Sequence, residues 1–263
     1  MSAFALAALT LPAAAVSKCD LADGLSLDPA VFNQQVKVCY DSQTGASQTA
    51  RLEHQLIQAT DLVRAGGKKG ALAPLESLEQ AARIHAMDMA ARNYAGHTDP
   101  EGRGHLERVR MLDRSVLIGA AGANIAIVEG TGLDPADLFE ALRRDPVNAT
   151  NMTRSAFTHT GVGIAEAQGR TYIVQLFARV DGQLDAPLPV YVSGKHNISA
   201  TFEEAGLQPV SWRLTSPGGE TIKRGYGSTL TGSLKPGQQA YLTLDFVRND
   251  TEFAIRGPIV TGQ

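Results

Sequence analysis

The chain has 263 residues with 24 basic and 27 acidic side chains, a formal charge of -3 and a pI near 6.1. That length suffices for one large domain or for one medium and one small domain. The near balance of charge, with no long run of either sign, argues against a nucleic-acid surface or a polybasic anchor and favours small neutral or mixed-charge partners.

Taken in chain order, an apolar stretch from Ala3 to Val16 ends in Ala13-Ala14-Ala15, the small-residue pattern of a cleaved leader, so residues 1–17 are expected to be a signal peptide and the mature chain secreted or periplasmic. The weak positive charge ahead of it leaves an apolar cap as the alternative. No other segment approaches the roughly 18 apolar residues of a membrane helix. Cys19 and Cys39 follow in an N-terminal arm, residues 18–49. In an oxidising compartment they are expected to form a disulfide stabilising the arm by about 3 kcal/mol on the loop-entropy scale. Two free buried thiols are the alternative. Lys18 ahead of Cys19 does not suit lipid attachment.

Leu52, Leu56, Ala59 and Val63 recur at helical spacing until Gly66-Gly67. A second helix is predicted to open on a Ser77/Gln80 capping box and to carry Leu78, Ala82, His85 and Met89 on one face, leaving through Tyr94 and Gly96. A short helix follows Gly104. Asp134-Pro135 forms a cap and first turn for another, with Pro146 as its end. The runs His159 to Ala167 and Thr171 to Val180, joined at Gln168-Gly169, predict a hairpin with Ile173, Leu176 and Phe177 in the core. The class is therefore α+β. Beyond the stiff junction Asp185-Ala-Pro-Leu-Pro189, seven short β-type runs predict a small all-β sandwich over residues 188–263, an attachment or recognition module.

Several ordered stretches carry a resemblance. They are Leu-Glu-Ser-Leu-Glu-Gln-Ala-Ala-Arg-Ile-His-Ala-Met-Asp-Met-Ala from Leu75, Gly-His-Thr-Asp-Pro-Glu-Gly around His97, Gly-Ala-Asn-Ile-Ala from Gly122, Phe-Thr-His-Thr-Gly-Val-Gly-Ile-Ala from Phe157, and Tyr-Ile-Val-Gln-Leu-Phe from Tyr172. Their series resembles the CAP family, the sperm-coating-protein-like extracellular domains, in its bacterial form. The resemblance implies a three-layer α-β-α sandwich over residues 50–184 and export. Many members line a cavity with two histidines and two acids able to hold a divalent metal. Here His97 matches the first histidine, Ala123 stands where the family's Gly-Glu-Asn has glutamate, and Asn148 stands where the second histidine belongs, while Asp145 sits where some relatives keep an acid. One imidazole and one carboxylate fall short of the three or four donors of a zinc site, so neither metal nor cofactor is expected.

The binding candidates are therefore His97, Asp145, Asn148, Asn124 and His159, with no catalytic residue assigned. His97 has a second reading as an imidazole that hydrogen-bonds loop backbone, and His159 one as a strand-surface residue. His85 lies on a packed stripe and reads as a core histidine, whereas His54, His105 and His196 read as solvated. Serine-elbow, zinc-helix and phosphate-loop motifs do not occur. The expected function is a non-catalytic module that binds a small apolar or envelope-derived ligand or a protein surface. The alternative is a hydrolase of peptide or cell-wall material that uses His97 with Asp145. Oligomeric state is not legible.

Overall fold

The computed structural model describes residues 18–42 and 46–263, and the expected leader lies outside them. The order of elements is α1 (Pro29–Asp41), α2 (Ala46–Gly66), β1 (Ala73–Pro74), α3 (Glu76–Arg92), α4 (His105–Leu112), β2 (Val116–Glu129), α5 (Pro135–Arg143), α6 (Pro146–Thr153), β3 (His159–Ala167) and β4 (Arg170–Leu184). There follow β5 (Tyr191–Val192), β6 (Lys195–Asn197), β7 (Ala200–Phe202), β8 (Ser211–Thr215), β9 (Thr221–Gly225), β10 (Thr229–Thr231), β11 (Gln239–Arg248) and β12 (Thr251–Gly262). Among the described residues no helix is long and apolar enough to cross a membrane.

Three helices start on an Asp-Pro pair, because the aspartate accepts from the orphan first-turn amides while proline has no amide to satisfy. Asp28 accepts from Ala30 and Val31, Asp134 from Ala136, and Asp145 from Val147 and Asn148. Pro146 therefore opens α6 rather than merely closing α5. The expected capping box also differs: α3 begins after Leu75, Ser77 is already inside the helix, and its buried hydroxyl has no partner. The helix ends at Asn93, which takes the left-handed conformation with φ 52° and hands its chain into the loop bearing His97. The predicted hairpin is present, with Gln168 and Gly169 both at positive φ as a two-residue turn requires.

One ten-stranded sheet runs β1-β3-β4-β2-β12-β11-β8-β9, with β5 and β7 alongside. Over its first half the architecture is α-β-α. Alternation along β4 sends Tyr172, Val174 and Leu176 toward α3 and α4, and Ile173 and Phe177 toward α2, α5 and α6. Gly161 and Gly163 let α3 lie directly on β3, since a Cβ at Gly163 would meet Arg83 N at 2.1 Å and one at Gly161 would meet Glu79 N at 2.3 Å. The C-terminal strands β12, β11, β8 and β9 continue this same sheet, and β6 and β10 pair as a separate two-stranded sheet. Trp212, Leu214, Leu242, Leu244 and Phe246 face Ile198 and Leu230, which flank or lie on the β6-β10 pair. Leu117 joins this second core and Ile118 the first, so consecutive residues of β2 serve both.

Cys19 and Cys39 are joined as a disulfide. The arm they tie packs Leu25, Phe32 and Val36 against Met111, Tyr241 and Ile259. Asn33 donates to Met111 O at 2.7 Å and Gln239 to Leu27 O at 2.6 Å, so the arm grips α4 and β11 together.

Side chains close both outer edges of the first half-sheet. Glu53 accepts from the Ile164 amide of β3 at 3.0 Å while binding the Arg83 guanidinium. On the other side β2 pairs with β12 only at Ile118, and further along Asn148 and Asn151 donate their side-chain amides to Ile125 O and Ala123 O. Polar backbone that would lack a partner is thereby satisfied without another strand.

Candidate functional site

His97 stands on the loop between α3 and α4, and that loop is built around Asp99. The Asp99 carboxylate accepts from the Arg103 amide at 2.8 Å, from Arg103 Nε at 2.8 Å and from Arg108 Nη1 at 3.3 Å. Arg108 also donates to the carbonyl of His97 at 2.9 Å. The backbone of His97 is thus held from beneath, while its imidazole is exposed.

Two further histidines lie near it. His85 is buried, its Nε2 donates to Gly96 O at 2.7 Å, and Tyr94 Oη lies 3.4 Å from its Nδ1. The Tyr94 hydroxyl donates to Asp88 at 2.6 Å. Burial, reinforced by the Arg108 charge, lowers the pKa of His85 to about 3. His105, expected to be solvated, is partly buried and lowered to about 4 by burial and then by Arg108. Both are neutral at pH 7.

Charge around this loop is matched within it. Arg92 binds Asp88 and Glu101, Arg103 binds Asp99 and Glu101, and Arg108 binds Asp99. Oxygens of Asp88, Asp99 and Glu101 come within 4.8 Å of one another, close enough to share a cation. A cation placed there would face three guanidinium groups already bonded to those oxygens, so the cluster does not fit a metal.

The other candidates lie on or beside α6. Asp145 is exposed, and one of its oxygens accepts from Val147 N at 2.8 Å and Asn148 N at 3.1 Å. Asn124 and Asn148 come together in a buried amide network. Asn124 Nδ2 donates to Asn148 O at 3.0 Å, and Asn151 Nδ2 donates to Asn124 Oδ1 at 3.0 Å. Ala123 belongs to the apolar cluster on the α3 side, against which Tyr94 and Leu106 pack. Among the described residues no hydrogen bond or ion pair joins His97 to Asp145. His159 opens β3, half-buried, with its Nδ1 2.8 Å from Thr158 Oγ1, and burial lowers its pKa. The methyl group of Ala123, the amide of Asn148, the capping carboxylate of Asp145 and the single imidazole of His97 do not supply the donors for a divalent ion.

An open pocket of about 570 Å³ lies elsewhere, between α2, α3 and the end of β3. Leu21, Leu52, Met87 and Ile164 line it together with Ser42, Gln48 and Thr49. Among the described residues Glu166 is its one charged lining residue, and it already accepts from Gly132 N at 2.7 Å. None of the five candidate residues lines it. Sequence reasoning missed this pocket and the Asp99-Arg103-Arg108 knot; the Asp-Pro turn following His97 was the available signal for the knot.

The CAP model, described as the cysteine-rich secretory protein family, matches residues 57–177. An outer surface protein from Borrelia burgdorferi is 17% identical with a TM-score of 0.42, covering 48% of this chain and 90% of that one. An extracellular protein with an SCP domain from Bacillus anthracis is 24% identical with a TM-score of 0.42, covering 50% and 41%. Venom allergen-like protein 4 from Schistosoma mansoni is 16% identical with a TM-score of 0.36, covering 52% and 94%. No curated protein matches the chain significantly.

Proposed function

From the match of residues 57–177 to the CAP family model, we propose that the chain is an exported module that holds a small apolar or envelope-derived ligand, or a protein surface, without acting on it chemically. The observation that carries this reading is the state of the lining that the family resemblance points to. Where an acid and a second imidazole are expected, Ala123 sits in an apolar cluster and Asn148 uses its amide to hold the edge of β2. The pocket between α2, α3 and β3, with Leu21, Leu52, Met87 and Ile164 beside Ser42, Gln48, Thr49 and Glu166, suits a ligand with an apolar body and a few polar groups. Export is supported by the apolar leader and by the Cys19–Cys39 disulfide.

Zinc titration of the full chain, followed by calorimetry and by metal analysis after gel filtration, tests the altered lining. The expected result is no stoichiometric retention of zinc; one tightly held ion per chain overturns the reading. Hydrolysis by His97 with Asp145 would require a carboxylate that now caps α6 to serve the imidazole as well.

A further inference from the structure

Glu53 closes the outer edge of β3 at one point, the Ile164 amide, from which it accepts at 3.0 Å. That amide points away from β4, so the Ile164 carbonyl does as well, and so do the N–H and C=O of Glu166 two residues on. The same alternation holds further back, where Thr160 O accepts from Leu75 N on the side of β1. Beyond Glu53 the edge is open. Among the described residues no hydrogen bond reaches the Ile164 carbonyl or the outward backbone of Glu166, and no strand pairs with β3 there other than β4. Ile164 is only 3% exposed, and a carbonyl on so buried a residue is costly to leave without a donor.

The pocket between α2 and α3 lies on this stretch of edge, since residues 164–167 line it. Its two walls are both apolar. Ile164 packs with Leu52 on the α2 side of the sheet, whereas Ala165 and Ala167 pack with Ala90 on the α3 side, and Ala91 lines the same wall. A strand laid beside β3 would therefore send its side chains alternately against α2 and against α3 and meet apolar groups on each face.

The floor of the pocket selects the occupant. It offers in order the acceptor Ile164 O, the donor Glu166 N and the acceptor Glu166 O, the outward groups of a strand edge, which recur every two residues or about 6.7 Å. An extended polypeptide carries complementary groups at that same interval. An acyl chain has none to meet them, and a sugar sets its hydroxyls against apolar walls. We propose that the groove between α2 and α3 binds an extended peptide as an added strand on β3, pairing with Ile164 and Glu166. The assignment rests on the binding role proposed above. Strands buried on both faces read as continuous apolar runs, so the segment taken is a run of small or medium apolar residues. Glu166, the one charge among the described lining residues, disfavours acidic side chains. Glu53, tied to Arg83, stops the added strand at its inner end.

The test uses the full chain and the end-capped peptide Ala-Val-Ala-Val-Ala, labelled with a fluorophore on a polar linker and followed by anisotropy. Two further peptides are N-methylated, one at its alanines and one at its valines. Only one of these alternate sets of amides can face β3. Methylation of one set should weaken binding at least tenfold, and methylation of the other less than threefold. Ala91→Trp, an exposed helix position that fills the groove, should weaken the parent peptide at least tenfold with an unchanged melting temperature. Equal affinity of all three peptides overturns the proposal, as does peptide binding that Ala91→Trp leaves intact. Laurate bound where the peptides are not overturns it while leaving the binding role standing; a chain that takes neither probe loses both.

Discussion

Replacing Gly163 by alanine tests the contact on which the layered fold is built. The new Cβ would lie 2.1 Å from Arg83 N, 2.3 Å from Ala82 C and 2.3 Å from Arg83 Cα, all of them helix backbone. Side-chain rotation cannot relieve such overlaps. Ordinary contact begins near 3.4 Å, so α3 must retreat from β3 by more than an ångström, loosening Leu78, Ala82 and Met89 and pulling Arg83 from Glu53. Overpacking alone costs about 1–3 kcal/mol, and the backbone origin of this clash places Gly163→Ala at or above about 3 kcal/mol. At a few degrees per kcal/mol, the melting temperature should fall by roughly 6–12 °C. Gly70→Ala, where nothing lies within 4 Å, serves as the control. Thermal and urea melts followed by circular dichroism decide it. A Gly163→Ala variant as stable as the Gly70→Ala control would refute the close approach of α3 to β3.

Loss of the bond between Cys19 and Cys39, which are 20 residues apart in sequence, should lower stability by about 3 kcal/mol on the loop-entropy scale. Melts of the Cys19→Ser/Cys39→Ser variant and of reduced parent chain check this; midpoints matching the oxidised parent would contradict it. Asn148→Ala removes the donor to Ile125 O and should destabilise by about 1–3 kcal/mol in urea, while a neutral result would show that the β2 edge needs no side-chain partner. His85 has a folded pKa near 3 against an unfolded value near 6.5, so the unfolded chain takes up the proton first. Its contribution to stability is therefore complete above about pH 6.5 and declines as pH falls toward 3, by a few kcal/mol at most on an order-of-magnitude basis. An imidazole NMR titration of His85 with a midpoint near 6.5 would rule this out.

The hairpin at Gln168-Gly169, the Asp134 cap and the β character of the C-terminal strands were legible because each is a local signal, a turn, a cap or an alternation. Asp145-Pro146 was not. The proline follows α5 so closely that it reads as a stop, and only the fold shows a second helix starting on the same dipeptide. Helix α1 was hidden in an arm rich in polar residues, since its apolar positions acquire a partner surface only when α4 and β11 come together. At the candidate site, Asp99 was visible within its motif, but Arg103 and Arg108 look like ordinary surface charges until α4 folds back and buries them. The pocket between α2, α3 and β3 was illegible for the same reason, its walls coming from segments far apart in the chain.

The amides of α6 along β2 bear on how this protein would fail. Should α6 detach before the rest unfolds, Ala123 and Ile125 would present bare carbonyls on a long strand rich in alanine, isoleucine and valine, a template onto which another molecule's strand can add. Storage lifetime would then follow how often a single short helix lifts away. Cross-linking α6 to its strand should suppress aggregates far more than it raises the melting point.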